Sequence, residues 1–166
     1  MTISMYHAST PLFLRMFGNM NQWLDIAVEK KGAAGAEELL GARLAPDMLP
    51  LLGQFQRASD TSKGAIARLA GVDAPSMPDT EKTIADVRQR IAKTADFIKS
   101  VPQSKVDGSE EKEVILKTPN NELKFTGLGY LTGFVLPNFY FHATTAYGIL
   151  RNQGLPLGKL DYLGRA

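Results

Sequence analysis

The chain has 166 residues, 44% hydrophobic and 22% charged, with 19 Lys plus Arg against 17 Asp plus Glu and a formal net charge of +2. Its basic residues are scattered singly or in pairs such as Lys30 and Lys31, so there is no stripe to follow a nucleic acid. The lack of cysteine removes disulfides, zinc knuckles and thiol nucleophiles.

One domain over residues 1–166 is the expectation, and a chain of this size buries roughly 70% of its unfolded surface without a metal or disulfide staple. The opening MTISMYHASTPLFLRMF has no basic stretch followed by a long apolar run, so it does not read as a signal peptide, and a cytoplasmic location is expected. Thr10 and Pro11 resemble an N-cap and first helical position. Leu12, Phe13, Met16, Phe17, Met20, Leu24, Ala27 and Val28 then follow helical spacing toward a stop near Gly32.

A second helix is predicted from about Asp47, with Met48, Leu52, Phe55, Ser59, Ser62, Ile66 and Leu69 on one face and Gly71 as its stop. The small serines in the middle of that face suit either close helix approach or room for a ligand. Asp60 and Lys63 fall beside Gln56 as a polar edge. A third helix opens at Pro78 and Asp79, carries Ile84, Val87, Ile91, Ala95, Ile98 and Val101 as its apolar stripe, and closes at Pro102.

Val114, Leu116 and Thr118 alternate before Pro119-Asn120-Asn121, and Leu123 and Phe125 alternate after it, a hairpin pattern. A fourth helix follows from about Leu128 to Asn152, ended by Gly154. The stretch from Phe125 to Leu150 has no charge and is long enough to span a bilayer, yet it holds Pro137, Asn138, His142 and several Thr and Gly. A central helix buried by its neighbours is the better reading, with no membrane partner. Four long helical segments with modest connections predict a four-helix bundle.

Asn138 and His142 lie four apart and so share one helix face, with Arg151 nine residues beyond the histidine. His142 can serve as an acid, a base or a pocket-lining group, because an imidazole titrates near neutrality. His7 reads as incidental. The run from Gly154 to Lys159 lacks the spacing and hydroxyl of a phosphate loop; its leucines and Asp161-Tyr162-Leu163 read instead as a tail that packs back on the bundle. No nucleophile-elbow or Ser-His-Asp pattern is visible.

The segment LPNFYFHATTAYGILR, followed by GLPLGKLDYLG, resembles the signature of a bacterial family of unknown function allied to the DinB-like, or YfiT-like, bundle superfamily. RLAPDMLPLLGQFQRASDTSKGAIARLAG fits the same family, so the resemblance covers nearly the whole chain. It implies an all-α DinB-like four-helix bundle with a small β-hairpin between helices 3 and 4. In that superfamily a divalent metal is held by one histidine on the second helix and an HxxxH pair on the fourth, with an arginine nine positions on. His142 and Arg151 match the last histidine and the arginine. Asn138 stands where the first histidine of the pair would be, and the second helix offers only Gln54 or Gln56.

One imidazole with two carboxamide oxygens is a weak transition-metal site, so no metal or other cofactor is expected. The usual route to hydroxide at neutral pH goes with it. The expected role is binding a small molecule or a partner in a pocket lined by Gln56, Asn138 and His142, with Arg151 nearby and no catalytic residue assigned. A homodimer is implied by the way DinB-like bundles pair through helices. The alternative is a metal-dependent hydrolase or transferase with His142 as the surviving ligand, and a structural interaction module without a pocket is the third class.

Overall fold

The computed structural model describes residues 3–118 and 121–164. Four long helices form the bundle: α1 (Thr10–Glu38), α2 (Leu51–Ala70), α3 (Ile84–Ser100) and, after the short α4 (Gln103–Val106) and α5 (Gly127–Tyr130), α6 (Leu136–Asn152). A last short helix, α7 (Lys159–Leu163), closes the described chain. Strands β1 (Glu113–Thr118) and β2 (Asn121–Thr126) form an antiparallel hairpin with Val114 opposite Phe125 and Leu116 opposite Leu123. This is the expected bundle with its hairpin; Pro119 and Asn120 of the predicted turn lie outside the described residues.

The helix boundaries move in instructive ways. Ser9, not Thr10, precedes the first helical residue of α1, and Pro11 sits in the first turn, where a missing N–H costs nothing. Gly32 does break α1, at φ 71° and ψ 172°, but the helix resumes to Glu38. The second helix begins at Leu51, not Asp47, because Pro50 holds an extended backbone and takes the cap position. Gly71 ends it in the left-handed conformation, donating back to Ala67 and Arg68 carbonyls.

The third helix starts at Ile84 and not at Pro78. Thr83 Oγ1 accepts from the Asp86 N–H while Asp86 Oδ2 accepts from the Thr83 N–H, a reciprocal cap stronger than the Pro-Asp signal. Residues 72–83 therefore run as an extended strap beside α2 and α3.

The predicted fourth helix is continuous in path but not in type. Leu131–Val135 is a π-helical turn in which the Leu136 N–H reaches the Leu131 carbonyl, and Pro137 follows with no N–H to give. A widened turn is how a helix admits a proline without breaking. Gly127 enters this element against the carbonyl of Ser109, which an added Cβ would meet at 1.9 Å. Only a glycine fits there.

The core is one apolar cluster in which Phe13, Phe17, Trp23, Phe55, Ile66, Leu69, Ile98 and Phe139 are sealed from solvent. α2 packs chiefly on α6 and α3, and α1 on α3 and α7. The uncharged helix is covered on its inner faces, although Phe141 remains 55% exposed. Among the described residues no helix is long and apolar enough to cross a membrane. Leu155 and Leu157 of the tail are buried, whereas Leu160 and Leu163, expected to pack with them, are exposed. Tyr162 stacks on Trp23 instead, and Trp23 Nε1–H and Asn19 Nδ2–H hold the Asp161 and Tyr162 carbonyls at 2.9 and 2.8 Å.

Candidate functional site at the α2–α6 seam

Asn138 and His142 both face α2, as their four-residue spacing requires. His142 Nδ1 lies 2.8 Å from Gln54 Oε1, and Asn138 Nδ2–H donates to Thr61 Oγ1 at 2.9 Å. Gln54 and Thr61 are seven apart on α2, two turns of one face, and the antiparallel run of the helices pairs the earlier α2 residue with the later α6 residue. The Gln54 amide is itself fixed: its Nε2–H donates to the Leu49 carbonyl at 2.9 Å, and the side chain is 1% exposed.

This chain of bonds sets the protonation of the histidine. A backbone carbonyl can only accept, so the Gln54 NH2 must face Leu49 and its oxygen must face His142. An oxygen that only accepts requires a donor, so the neutral ring carries its proton on Nδ1 and leaves Nε2 as a lone pair. Burial lowers the His142 pKa below its usual value, and the positive charge of Arg57 lowers it further. The imidazole is thus held neutral, with Nε2 a base or acceptor.

Arg57 lies three residues after Gln54 and four before Thr61, along the same side of α2. Its guanidinium pairs with Asp79 at 2.6 Å and stands 3.5 Å from Asp60. It thereby joins the seam to a second polar group, centred on Arg90 of α3. Arg90 is 3% exposed and meets Asp60 at 2.8 Å, Asp79 at 3.1 Å and Glu81 at 2.8 Å. Burial opposes its charge, but the Glu81 hydrogen bond and the three carboxylates outweigh that and raise its pKa. Glu81 is in turn held below the usual carboxylate range: burial pushes it up, and bonds from Gln56 and Arg90 more than reverse that.

The structure brings together only part of the predicted site. Gln56 does not join Asn138 and His142: two residues from Gln54 is about 200° around a helix, and its Nε2–H donates to Glu81 at 2.8 Å on the α3 side. Arg151 is also apart, since nine residues turn the helix about 900°, half a turn out of phase with His142. It is exposed and donates to the Leu157 carbonyl, fastening the tail. Ser59 and Ser62 do not open a space either. Ser59 Oγ and Thr94 Oγ1 are 2.7 Å apart in the α2–α3 interface, and Ser62 Oγ–H returns to the Ala58 and Ser59 carbonyls. Asp60 and Lys63 do pair, at 3.3 Å. His7 is exposed, with Nδ1 2.9 Å from Ser4 Oγ.

Sequence reasoning missed the roles of Thr61 and Arg57, which the seven-residue repeat from Gln54 and its midpoint could have marked. A cleft of about 210 Å³ opens between the strap and α3, with Met77, Glu81, Arg90 and Lys93 in its wall, and another of about 150 Å³ lies where Tyr140 meets Tyr162. Neither is lined by Asn138 or His142.

The donor set does not fit a transition metal. Gln54 has spent its oxygen on the imidazole N–H, which leaves one ring nitrogen and one carboxamide oxygen. Among the described residues no three His, Asp or Glu side chains are placed to hold a metal ion.

Fold and seam together define a DinB-like helical bundle in which His142 and Asn138 of α6 face Gln54 and Thr61 of α2. The crystal structure of a DinB family member protein from Shewanella denitrificans is similar at 36% identity and a TM-score of 0.85, over 97% of this chain and 92% of that one. The chain belongs to the DUF1993 family: the model of that domain of unknown function matches residues 5–163. No curated protein matches it.

Proposed function

We propose that this protein binds a small molecule at the α2–α6 seam, acting in the cytoplasm as a non-metal member of the DinB-like bundles. One observation carries the reading: the Leu49–Gln54–His142 chain holds a neutral imidazole whose unprotonated Nε2 has no protein partner among the described residues. A buried, nearly sealed glutamine spent on fixing one tautomer is the support a binding group needs and a filler histidine does not. Pairing of two copies through the exposed side of α6, where Phe141 stands out, belongs to the same proposal, and sedimentation velocity of wild type and Phe141→Ser tests it.

The binding reading is tested by thermal shift with a panel of neutral, cationic and anionic small molecules on wild type and His142→Phe. A ligand present at about 100 times its Kd stabilises the native state by about 2.7 kcal/mol. The expected result is a rise in Tm in wild type that His142→Phe loses. No rise with any compound, or a rise that the variant keeps, refutes it. The alternative, a metal-dependent hydrolase or transferase, requires stoichiometric zinc or nickel that depends on His142, which elemental analysis reads directly.

A further inference from the structure

Leu12, Arg15, Met16 and Asn19 are spaced i, i+3, i+4 and i+7, so they form one stripe of α1. With Tyr140 of α6 and Tyr162 and Leu163 of α7 they line the cleft of about 150 Å³ noted above, whose walls are mostly apolar. Met16 and Asn19 are its buried members. The Asn19 amide carries the tail: its Nδ2–H holds the Tyr162 carbonyl at 2.8 Å, and a Cβ added at Gly164 would meet its Oδ1 at 2.6 Å. Tyr140 lies two residues from both Asn138 and His142, about 200° around α6, so this cleft is on the opposite side of the helix from the seam.

Two polar groups at the cleft are not used by the fold. Arg15 is exposed, and its one hydrogen bond is a long one, 3.4 Å from Nη2–H to the Gly164 carbonyl; among the described residues it has no carboxylate partner. The Tyr140 hydroxyl has no hydrogen-bond partner among the described residues either. Burial pushes this phenol above its usual value, the nearby Tyr162 phenol adds to the rise, and the Arg15 charge opposes it. A cation thus stands within electrostatic reach of a hydroxyl that keeps its proton at neutral pH.

We propose that the α1–α6–α7 cleft is a binding site, separate from the seam, for a small carboxylate with a compact, single-ring apolar body. The carboxylate takes the Arg15 fork and the Tyr140 O–H, and the body displaces water from Leu12, Met16, Leu163 and the tyrosine rings. An apolar cavity of about 150 Å³ holds a benzene ring, which sets the size of that body. Leu163, 46% exposed and of little use to the core, serves here as a wall. A cation meets the charge of Arg15, and an uncharged amide forfeits the charge-assisted bonds.

Benzoate and benzamide, alike in ring and size and different in charge, are the probes. Each is titrated into the full chain at neutral pH while the Met16 and Leu163 methyl groups and the Arg15 side-chain N–H are followed by NMR. Benzoate should give saturable shifts at all three, with benzamide weaker by about tenfold. Arg15→Gln, at an exposed position, should weaken benzoate by about tenfold and leave benzamide unchanged. Tyr140→Phe should weaken benzoate by about fivefold, and backbone amide spectra check that both variants stay folded. His142→Phe should leave both probes unaffected, so stabilisation by a carboxylate that His142→Phe keeps and Arg15→Gln loses marks occupancy of this cleft and not of the seam. Equal binding of the two probes, benzoate binding that Arg15→Gln keeps, or no saturable shift at Met16 and Leu163 overturns the proposal, whatever the outcome at the seam.

Discussion

Gln54→Leu separates a positioning glutamine from one that merely fills space. The substitution keeps the volume of a side chain that is 1% exposed and deletes both of its hydrogen bonds, at 2.9 Å to the Leu49 carbonyl and 2.8 Å to the His142 ring. Each group left unmade when buried costs about 1–3 kcal/mol. Leu49 is 44% exposed and His142 half-buried, so water recovers part of both losses. The expected net cost is about 2 kcal/mol, a fall in Tm of about 4–8 °C for a domain of this size. Urea unfolding of Gln54→Leu, His142→Leu and the double variant should return a coupling energy of about 1 kcal/mol. The wild-type ¹⁵N spectrum should show the His142 proton on Nδ1, and Gln54→Leu should release it to both nitrogens. A stability loss below about 0.5 kcal/mol, or a wild-type ring already mixed between tautomers, refutes the positioning argument.

Four further outcomes follow from the same structure. A histidine whose folded pKa is depressed adds stability that is complete above its unfolded value and is lost as pH falls through the folded one, so unfolding free energy should decline below about pH 6.5, and the His142→Phe variant should lack that slope. Arg90→Leu leaves Asp60, Asp79 and Glu81 facing one another without their shared cation and should cost about 3–5 kcal/mol, read by chemical denaturation, with Glu81→Gln less damaging. Ending the chain at Gln153 exposes the sites of Leu155 and Leu157, each worth about 1.5–3 kcal/mol when fully buried, so an unchanged Tm would show the tail to be dispensable. Gly127→Ala forces a Cβ onto the Ser109 carbonyl and should cost about 1–3 kcal/mol, with amide exchange rising in α5 and the hairpin.

The sequence by itself determined the bundle. Apolar residues at helical spacing bury only if each stripe meets another, alternation around Pro119-Asn120-Asn121 admits little but a hairpin, and the i, i+4 pair of Asn138 and His142 had to share a face. Local chemistry likewise marked Gly71 and the buried leucines of the tail. The start of α3 was misread because a reciprocal Thr83–Asp86 cap and a Pro-Asp pair are both legitimate openings, and the cap, which satisfies two backbone N–H groups, is the one the helix uses. What α6 faces was a tertiary decision. Gln54 and Gln56 are equally plausible in sequence, yet 200° of helix separates them, and the rotation of α2 against its neighbours sent one to His142 and the other to Glu81. Arg151, nine residues from His142, falls on the far side of the same helix for the same reason and fastens the tail. A one-dimensional motif records spacing along each helix; the angle at which two helices meet is fixed by ridges, grooves and side-chain volumes contributed by the whole core.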